Sequence, residues 1–392
     1  MKLRRIRLSS VRPNMRVLMR VDTNVPVKNG RVVDGDRGRL ARILPEIEAF
    51  AKKGARVIIL SHRGRPGGKY VEILSNQPIA KRAGQYLKGR VSFFEASHGK
   101  KVEARIENMG PGEVLWLENV RFDSREEKNS AALGKAYAAL ADVYVNNAFG
   151  VSHRKHASVH AVTNYIPSYA GALILEELKE LSKSPKHPFV LVMGGIKLET
   201  KLPVLKKLAP QADVVLLGGG IALAFAAAVL GIKLQPVGRS LSYSDIVLAN
   251  AFFKTCADKI HLPVDVKIGT SLTSGFVKNR LLEECQGGEQ VFDIGKETIR
   301  QYRALLQGAK TVVWNGSMGV LEHSGGVKGT RAIAKSITSL RTARTILGGG
   351  DTVSFVERSG HVNGFTFVST GGGAMLEFLA GKKLPGLEVL KK

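Results

Sequence analysis

The chain has 392 residues, which is more than one hydrophobic core usually covers, so we expect two domains. Hydrophobic residues make up 44% and charged residues 23%, a composition that indicates a globular protein and excludes a disordered one. The formal net charge of +26 suggests nucleic acid or an acidic membrane as a partner, and about half of the excess lies in residues 1–69.

Short apolar runs alternate with segments of helical periodicity, which predicts βαβ units around parallel sheets. Most runs are apolar throughout, as strands buried on both faces should be. We therefore predict an α/β fold with two doubly wound parallel-sheet (Rossmann-like) domains joined by a hinge helix. The predicted strands are 17–22, 57–60, 91–94, 114–117 and 143–145 in the first half, and 189–193, 214–217, 262–267, 311–314, 345–347 and 365–368 in the second.

Amphipathic helices are clearest at 39–53, where Gly54 supplies the C-terminal stop, and from about 297 to 307. The segment 168–183 is also amphipathic, and the proline-flanked 184–188 follows it. A helix that leads into such a boundary is typical of a connector between two sheets. We expect this connector to serve as a hinge.

One segment, 214–232, has 19 consecutive uncharged residues and approaches the length of a transmembrane helix. A glycine triplet near its start and many alanines predict instead a buried strand, a tight turn and a buried helix. No apolar signal-peptide segment follows the basic N-terminus. Cys256 and Cys285 have no partner motif and no metal-ligand spacing, which suits a reducing compartment. We expect a cytoplasmic protein without a membrane partner.

Polar residues follow the predicted strands of the first half, where ligands bind in open α/β sheets. Any one of these residues alone would be interpreted as a surface residue, but their joint placement predicts a pocket for a small polyanion that carries hydroxyls. These residues are Asp22, Asn24, His62, Arg65, Arg121 and Arg154, together with Arg37 in the loop before the 39–53 helix.

Three histidines, His153, His156 and His160, lie at helical spacing, which resembles the spacing of zinc ligands. No acidic residue or cysteine accompanies them. We therefore favour structural histidines over metal ligands.

Glycine runs follow the strands of the second half, at 193–195, 217–220, 347–351 and 369–373. Such runs allow phosphates to approach backbone N–H groups at a helix N-terminus. In the segment 347–360, Asp351 is placed to hold a magnesium ion that bridges phosphates, although an ordinary capped helix explains the same pattern. Lys197 and Lys201 are four residues apart and would share one helix face, within reach of a transferring phosphoryl group.

Ten motifs, in order along the chain, together resemble those of phosphoglycerate kinases. The ordered set is far more specific than any single motif, and the resemblance extends from about Arg16 to the terminal LPGLEVL. The motifs are RVDTNVP, LSHRGRP, LENVRF, NNAFG, SHRKHAS, GGIKLETK, LLGGGIA, WNGSMGVLE, GGGDT and STGGGA.

The resemblance implies a kinase that moves a phosphoryl group reversibly between 1,3-bisphosphoglycerate and ADP, with Mg²⁺ bound alongside ATP or ADP. The implied ligands of 3-phosphoglycerate are Asp22, Asn24, Arg37, His62, Arg65, Arg121 and Arg154. The implied nucleotide ligands are Lys201, Gly218, Gly219, Gly220, Asn315, Glu322, Gly349, Gly350, Asp351 and Thr352, with Asp351 also the metal ligand. The implied catalytic residues are Arg37, Lys197, Lys201, Gly371 and Gly372.

The same resemblance implies the domain organisation. The N-terminal domain would comprise 1–170 plus 380–392, because the family's C-terminal tail returns to it. A hinge helix would occupy 171–185, and the nucleotide-binding domain would occupy 186–379. We expect a monomer that binds small molecules and no specific nucleic acid.

Six positions depart from the usual family pattern. None is an implied ligand, so we expect activity to be retained, with local charge and loop geometry altered. The departures are Thr23 for Phe, Arg63 for Leu, Asn147 for Asp, Ile196 for a small residue, Lys296 for Pro and Ser317 for Pro.

Two other functions are alternatives to a kinase, namely nucleic-acid binding and nicotinamide-dependent oxidoreduction. The charge favours a nucleic-acid-binding protein, but the chain has no aromatic-rich RNA-binding pattern, zinc finger or basic helix. A nicotinamide-dependent oxidoreductase is disfavoured because no complete GxGxxG occurs, and GxxxxGK[ST] is absent as well.

Overall fold

The computed structural model describes residues 1–232, 234–237, 240–271, 277–286 and 289–392. Contacts divide the chain into two compact units. The first unit comprises Met1–Ser182 and Lys383–Lys392, and the second unit comprises Lys183–Lys382.

The first unit contains a six-stranded parallel sheet in the order β5-β6-β4-β1-β7-β8, and β2 and β3 form a small hairpin beside it. Its strands are β1 (Arg16–Val21), β2 (Val27–Lys28), β3 (Arg31–Val32), β4 (Arg56–Leu60), β5 (Val91–Phe94), β6 (Val114–Leu117), β7 (Val143–Asn147) and β8 (Ser168–Ala170). Its helices are α1 (Arg39–Lys52), α2 (Gln77–Tyr86), α3 (Lys100–Glu107), α4 (Ala131–Ala138) and α5 (Ala172–Leu181).

Helices cover both faces of this sheet, because alternate residues of each buried strand point to opposite sides. Val17 and Met19 of β1 join a core that includes α1 and α2. Leu18 joins a separate core that includes α3 and α4. The first unit is therefore doubly wound, as predicted from the apolar runs.

The second unit contains a six-stranded parallel sheet in the order β12-β10-β9-β16-β17-β18, and a four-stranded sheet in the order β11-β15-β13-β14. Its strands are β9 (Phe189–Met193), β10 (Val214–Leu217), β11 (Gln235–Pro236), β12 (Ile260–His261), β13 (Asp265–Gly269), β14 (Lys278–Leu281), β15 (Gln290–Ile294), β16 (Thr311–Asn315), β17 (Arg344–Gly348) and β18 (Phe367–Val368). Its helices are α6 (Leu198–Leu208), α7 (Gly219–Leu230), α8 (Tyr243–Cys256), α9 (Lys296–Leu306), α10 (Lys328–Thr338), α11 (Gly350–Arg358) and α12 (Gly373–Leu379).

The apolar segment 214–232 forms β10 and α7, which confirms the predicted strand, turn and helix. None of the helices in the described part of the chain combines the length and the apolar character that crossing a bilayer requires.

The segment predicted as one strand, 262–267, is a strand only from Asp265 onward, and it falls between two strands of different sheets. β12 ends at His261 in the parallel sheet, and β13 begins at Asp265 as an antiparallel partner of β14 and β15. Pro263 lies between them and has no backbone N–H to continue a ladder. The N–H of Val264 donates to Thr298 Oγ1 at 3.0 Å instead.

The C-terminal tail packs within the first unit. It forms α13 (Pro385–Glu388), after which Leu3 pairs with Lys391 as an antiparallel bridge. Gly386 N donates to Ser152 O at 2.9 Å, and Asn146 Nδ2 donates to Gly386 O at 3.3 Å. The tail is thus bonded to the loop that carries the SHRKHAS motif.

Two side chains cap the N-terminus of α5. Ala172 N donates to the carboxylate of Glu46 on α1 at 3.0 Å, and Leu173 N donates to Asn147 Oδ1 at 2.8 Å. Asn147 is the residue that replaces the usual Asp, and its Nδ2 is buried without a partner. An amide oxygen therefore satisfies the helix terminus here, at the expense of one unpaired donor.

Glu46→Gln is expected to change how the stability of the first unit depends on pH. Burial raises the pKa of Glu46 to about 7 from 4.5, so the native state holds this proton more tightly than the unfolded chain does. The resulting stability is fully present below about pH 4.5 and is lost as the pH rises through about 7. We expect the variant to be more stable than the parent at pH 8, by about 1 to 3 kcal/mol, and similarly stable at pH 4.5.

The measurement is denaturant unfolding followed by fluorescence. The chain has two tryptophans, Trp116 in the first unit and Trp314 in the second, so a Trp314→Phe background reports the first unit alone. Glu48→Gln, on the same helix but with an exposed carboxylate that pairs with Lys52, is the control and should keep the parental pH dependence. A stability difference between Glu46→Gln and the parent that is the same at both pH values would contradict the role of Glu46.

Candidate functional site

Three loops of the first unit meet at the carboxyl edge of its sheet. After β1, Asn24 N donates to Asp22 Oδ1 at 3.1 Å, which closes a tight turn. The Asn24 Oδ1 accepts a hydrogen bond from Gly64 N, in the loop after β4, at 2.9 Å. Arg121, in the 3₁₀ turn after β6, donates to Gly64 O at 2.7 Å. The structure therefore brings together three of the residues that the sequence predicts for an anion pocket, Asp22, Asn24 and Arg121.

Arg39 is a member of this cluster that the sequence analysis missed. At the start of α1, its Nη1 donates to Asp22 Oδ1 at 3.2 Å and to Asn24 O at 3.0 Å. These contacts hold Asp22 in an ion pair. The predicted Arg37 lies half-buried in the preceding loop, two residues from Arg39. The only signal in the sequence was the DRGR run, which contains both arginines.

Arg20 is a second residue that the sequence analysis missed. It lies on β1 inside an apolar run and is fully buried. Its Nη2 lies 3.3 Å from His62 Nδ1, and its Nε donates to Ser158 Oγ at 2.8 Å. An arginine between apolar strand residues was the signal, because a buried arginine requires partners.

The histidines beside this edge are held in their neutral form. Burial, and then the charge of Arg154, lower the pKa of His153 to about 4. Burial, and then Arg121, lower the pKa of His156 to about 3. Burial together with Arg20 and other cations holds the pKa of His62 well below its usual value. Burial is the main cause in each case, and the nearby arginines add positive charge, which an anion site requires.

Arg65 and Arg154 are both exposed, and they lie in the loops after β4 and β7. Arg154 is near enough to His153 and His156 to lower the pKa of both histidines. Within the ranges that the structure describes, no three His, Cys, Asp or Glu side chains form a group that could hold a metal ion.

The second unit has a cavity of about 520 Å³ at the carboxyl edge of its parallel sheet. Apolar side chains such as Ile196 and Leu321 line one part, and the start of α11 lines another. The predicted residues on its wall are Lys197, Lys201, Gly219, Gly220, Asn315, Glu322, Gly349, Gly350, Asp351 and Thr352. Of the described residues predicted for this site, Gly218, Gly371 and Gly372 are not on that wall.

Lys201 and Asn315 form the polar centre of this cavity. Asn315 is the last residue of β16, and Met193 and Gly348 are its register partners on β9 and β17. Lys201 Nζ, from the first turns of α6, donates to Asn315 Oδ1. Burial lowers the pKa of Lys201 to about 8, and Asn315 Nδ2 is buried without a partner. A half-buried ammonium group and an unpaired donor side by side suit a phosphate ligand.

The glycine runs serve two different purposes. Gly349 has φ +97°, which permits the turn into α11, and the space above Gly350 is open. A Cβ at Gly218, in contrast, would lie 2.6 Å from Met318 Sδ. Close packing against Met318 therefore requires a glycine at position 218, whereas the Gly349–Gly350 pair leaves room for a ligand.

The carboxylates of the cavity fit a Mg²⁺ ion that arrives with a nucleotide. Asp351 is exposed in the first turn of α11, and Asp293 and Glu322 are the other acidic residues on the described wall. Asp293 is already engaged, because it accepts a hydrogen bond from Gly329 N at 2.6 Å. Mg²⁺ is usually held by one or two carboxylates together with substrate phosphates, not by a complete protein cage. Asp351 suits that kind of coordination.

Three of the departures from the family pattern take part in local hydrogen bonds. Arg63 is buried and donates to Ser75 O, while Glu118 accepts from Ser75 Oγ and Asn76 N nearby. Ser317 O accepts from Gly195 N at 2.8 Å, a contact that any residue at this position would allow. Lys296 N donates to Asn279 Oδ1 at 3.2 Å. Thr23 Oγ1 is buried without a partner, and nothing in the structure explains that substitution.

Comparisons with known proteins show the family of the chain. The phosphoglycerate kinase family profile matches residues 10–382. The chain belongs to the phosphoglycerate kinase family. It is 42% identical to the phosphoglycerate kinase of Moorella thermoacetica and 40% identical to that of Lacticaseibacillus casei, over 96% of this chain and of each relative.

Two solved structures share the fold. The phosphoglycerate kinase of Coxiella burnetii has a TM-score of 0.78 at 35% identity, and that of Pyrococcus horikoshii has a TM-score of 0.82 at 30% identity. Each comparison covers 97% of both chains. The α/β fold predicted from the sequence is therefore confirmed.

Asn315→Asp is expected to raise the pKa of Lys201 above its present value of about 8. A carboxylate beside the ammonium group favours its charged form, by on the order of one pKa unit or more. The measurement is the reaction rate of Lys201 with an amine-reactive reagent as a function of pH, resolved by peptide mass spectrometry without nucleotide. Asn363→Asp, at an exposed position of the second unit, is the control with the same charge change. An unchanged pH profile in Asn315→Asp would mean that Asn315 does not govern the lysine.

Proposed function

We propose that this protein transfers a phosphoryl group reversibly between 1,3-bisphosphoglycerate and ADP, the glycolytic reaction that yields 3-phosphoglycerate and ATP. One observation supports this proposal most strongly. A cationic pocket on the first unit and a glycine-bordered cavity with a half-buried lysine on the second unit are both present, in a chain that belongs to a family of kinases.

The first unit would hold the glycerate substrate. We assign its carboxylate and phosphate to the arginines, because guanidinium groups bind such anions bidentately. Asp22 and Asn24 are the polar groups suited to the hydroxyl. The proposed ligands are Asp22, Asn24, Arg37, His62, Arg65, Arg121 and Arg154, and Arg39 supports them through its ion pair with Asp22.

The second unit would hold the nucleotide. The apolar part of the cavity suits a base, and the turn at Gly349–Thr352 with Lys201 suits the phosphates. The bound Mg²⁺ would neutralise phosphate charge, with Asp351 as its protein ligand. Gly218, Gly219, Gly220, Asn315 and Glu322 complete the proposed nucleotide set.

The chemistry needs little acid or base assistance, because the leaving group of an acyl phosphate is a carboxylate and already a weak base. Catalysis then consists of holding ADP in line and neutralising the oxygens of the migrating group. We propose that Lys197, Lys201, Arg37 and the backbone N–H groups of Gly371 and Gly372 perform this task.

The two half-sites belong to different units of the chain, so transfer requires the units to close around both substrates. We propose residues 171–185 as the hinge, with 1–170 plus 380–392 and 186–379 as the moving domains. Closure would exclude water, which otherwise hydrolyses the acyl phosphate. Because one chain carries both half-sites, we propose a monomer. The free cysteines Cys256 and Cys285 suit a cytoplasmic location.

The decisive assay is consumption of ATP that depends on added 3-phosphoglycerate, followed by coupled oxidation of NADH. Turnover only when 3-phosphoglycerate, ATP and Mg²⁺ are all present supports the proposal. ATP consumption that is independent of 3-phosphoglycerate would overturn it.

Two variants separate the half-sites. Arg37→Ala should raise the KM for 3-phosphoglycerate by about tenfold or more, with little change in the KM for ATP, because one charge-assisted contact to the substrate anion is lost.

Lys197→Ala should lower kcat by about tenfold to a thousandfold with a modest change in nucleotide affinity, because its charge acts on the group in transfer. Equal losses for both substrates in Arg37→Ala, or unchanged turnover in Lys197→Ala, would contradict the assigned roles.

A further inference from the structure

A buried arginine contacts the back of the proposed substrate pocket. Arg20 is fully buried on β1, and each nitrogen of its guanidinium group faces a different partner. Its Nε donates to Ser158 Oγ at 2.8 Å, its Nη1 donates to Val21 O, and its Nη2 lies 3.3 Å from His62 Nδ1. The guanidinium is therefore fixed in one orientation.

A buried carboxyl group is linked to Arg20 through Ser158. Glu126 is fully buried and accepts from Ser158 N at 2.9 Å and from Ser158 Oγ at 2.5 Å. Because the single hydroxyl proton of Ser158 goes to Glu126, its oxygen lone pairs are left to accept from Arg20. Glu126, Ser158 and Arg20 thus form a hydrogen-bonded chain with a defined direction.

This chain determines which nitrogen of His62 carries a proton. A guanidinium group has five N–H donors and no acceptor, and it stays protonated in proteins. The ring nitrogen that faces it must therefore accept, so Nδ1 of His62 is unprotonated. The proton of a neutral imidazole then lies on Nε2, which has no hydrogen-bond partner among the described residues.

The charged groups around His62 disfavour its doubly protonated form. Burial comes first, followed by Arg20 on β1, Arg121 in the turn after β6, Arg39 on α1 and then His156 in the loop after β7, and together they lower the pKa of His62 well below its usual value. His62 is therefore neutral across the physiological pH range.

We propose that Arg20, held by Ser158 and Glu126, is a positioning residue that fixes His62 as the neutral Nε2–H tautomer. His62 then donates a hydrogen bond to the anionic substrate, an inference that rests on the proposed function. The opposite tautomer would present a lone pair to the anion and repel it. Arg20 thus acts on substrate affinity through His62, without touching the substrate.

The parent protein allows a direct test by long-range ¹⁵N–¹H correlation NMR of the ¹⁵N-labelled full-length chain. The spectrum of His62→Gln identifies the His62 signals. We expect a protonated Nε2 and an unprotonated Nδ1, unchanged from pH 5.5 to pH 8. A protonated Nδ1 at pH 7, alone or together with Nε2, would overturn the proposal.

Ser158→Ala tests the hydrogen-bonded chain behind Arg20. We expect a mixture of the two His62 tautomers, and an increase of about threefold to tenfold in the KM for 3-phosphoglycerate with kcat within about twofold of the parent, as loss of one hydrogen bond predicts. The matched control is Ser92→Ala, which removes a serine oxygen that accepts from Arg105 Nη2 at 3.0 Å elsewhere in the first unit. The control should change neither quantity.

An unchanged tautomer and KM in Ser158→Ala would overturn the role of the chain, and if this variant does not fold, the parent spectrum alone decides. The spectrum also separates this inference from the proposed function. An Nδ1–H tautomer in an active kinase would refute the inference alone, whereas an Nε2–H tautomer in a protein without kinase activity would refute the proposed function alone.

Discussion

The parallel direction of the strands in each unit is the constraint on which both half-sites depend. Since parallel strands end at the same edge of a sheet, residues that follow the strands lie close together even when they are far apart in the sequence. In the first unit this brings the turn at Asp22 next to the loops of Gly64 and Arg121. In the second unit it places Asn315 beside the strands that lead into the Lys201 helix and the Gly349 turn.

The two units then create their anion sites by different electrostatic means. The first unit uses several guanidinium groups, some of them buried, and buried carboxylates such as Glu126 offset part of their charge. The second unit uses the half-buried Lys201, a helix N-terminus and glycines that leave the backbone accessible. The arginines of the first arrangement stay charged across the physiological pH range, because arginine stays protonated in proteins. In the second, burial brings the pKa of Lys201 to about 8, so its charge responds to mildly alkaline pH.

The sequence predicted the parallel sheets well, because strands buried on both faces are continuous apolar runs. It missed the second sheet of the second unit, since β11 has only two residues and β14 (Lys278–Leu281) is mostly polar and exposed. Strand-end residues such as His62 were predicted because their position follows from the end of the strand. Arg20 was missed because its partner Ser158 lies 138 residues away, and no local pattern indicates that contact. The packing role of Gly218 likewise depends on Met318, which only the folded chain places beside it.

If the assignment of the two sites is right, different units hold 3-phosphoglycerate and the nucleotide. Hydrogen exchange measured by mass spectrometry can locate each ligand on the chain. The full-length protein would be compared with 3-phosphoglycerate alone and with Mg²⁺ and ADP alone. We expect 3-phosphoglycerate to protect peptides of the first unit near Asn24, His62 and Arg121, and Mg²⁺ with ADP to protect peptides of the second unit near Lys201 and Gly350. Protection by 3-phosphoglycerate confined to the second unit, or by nucleotide confined to the first, would show that the two anions are not held in this way.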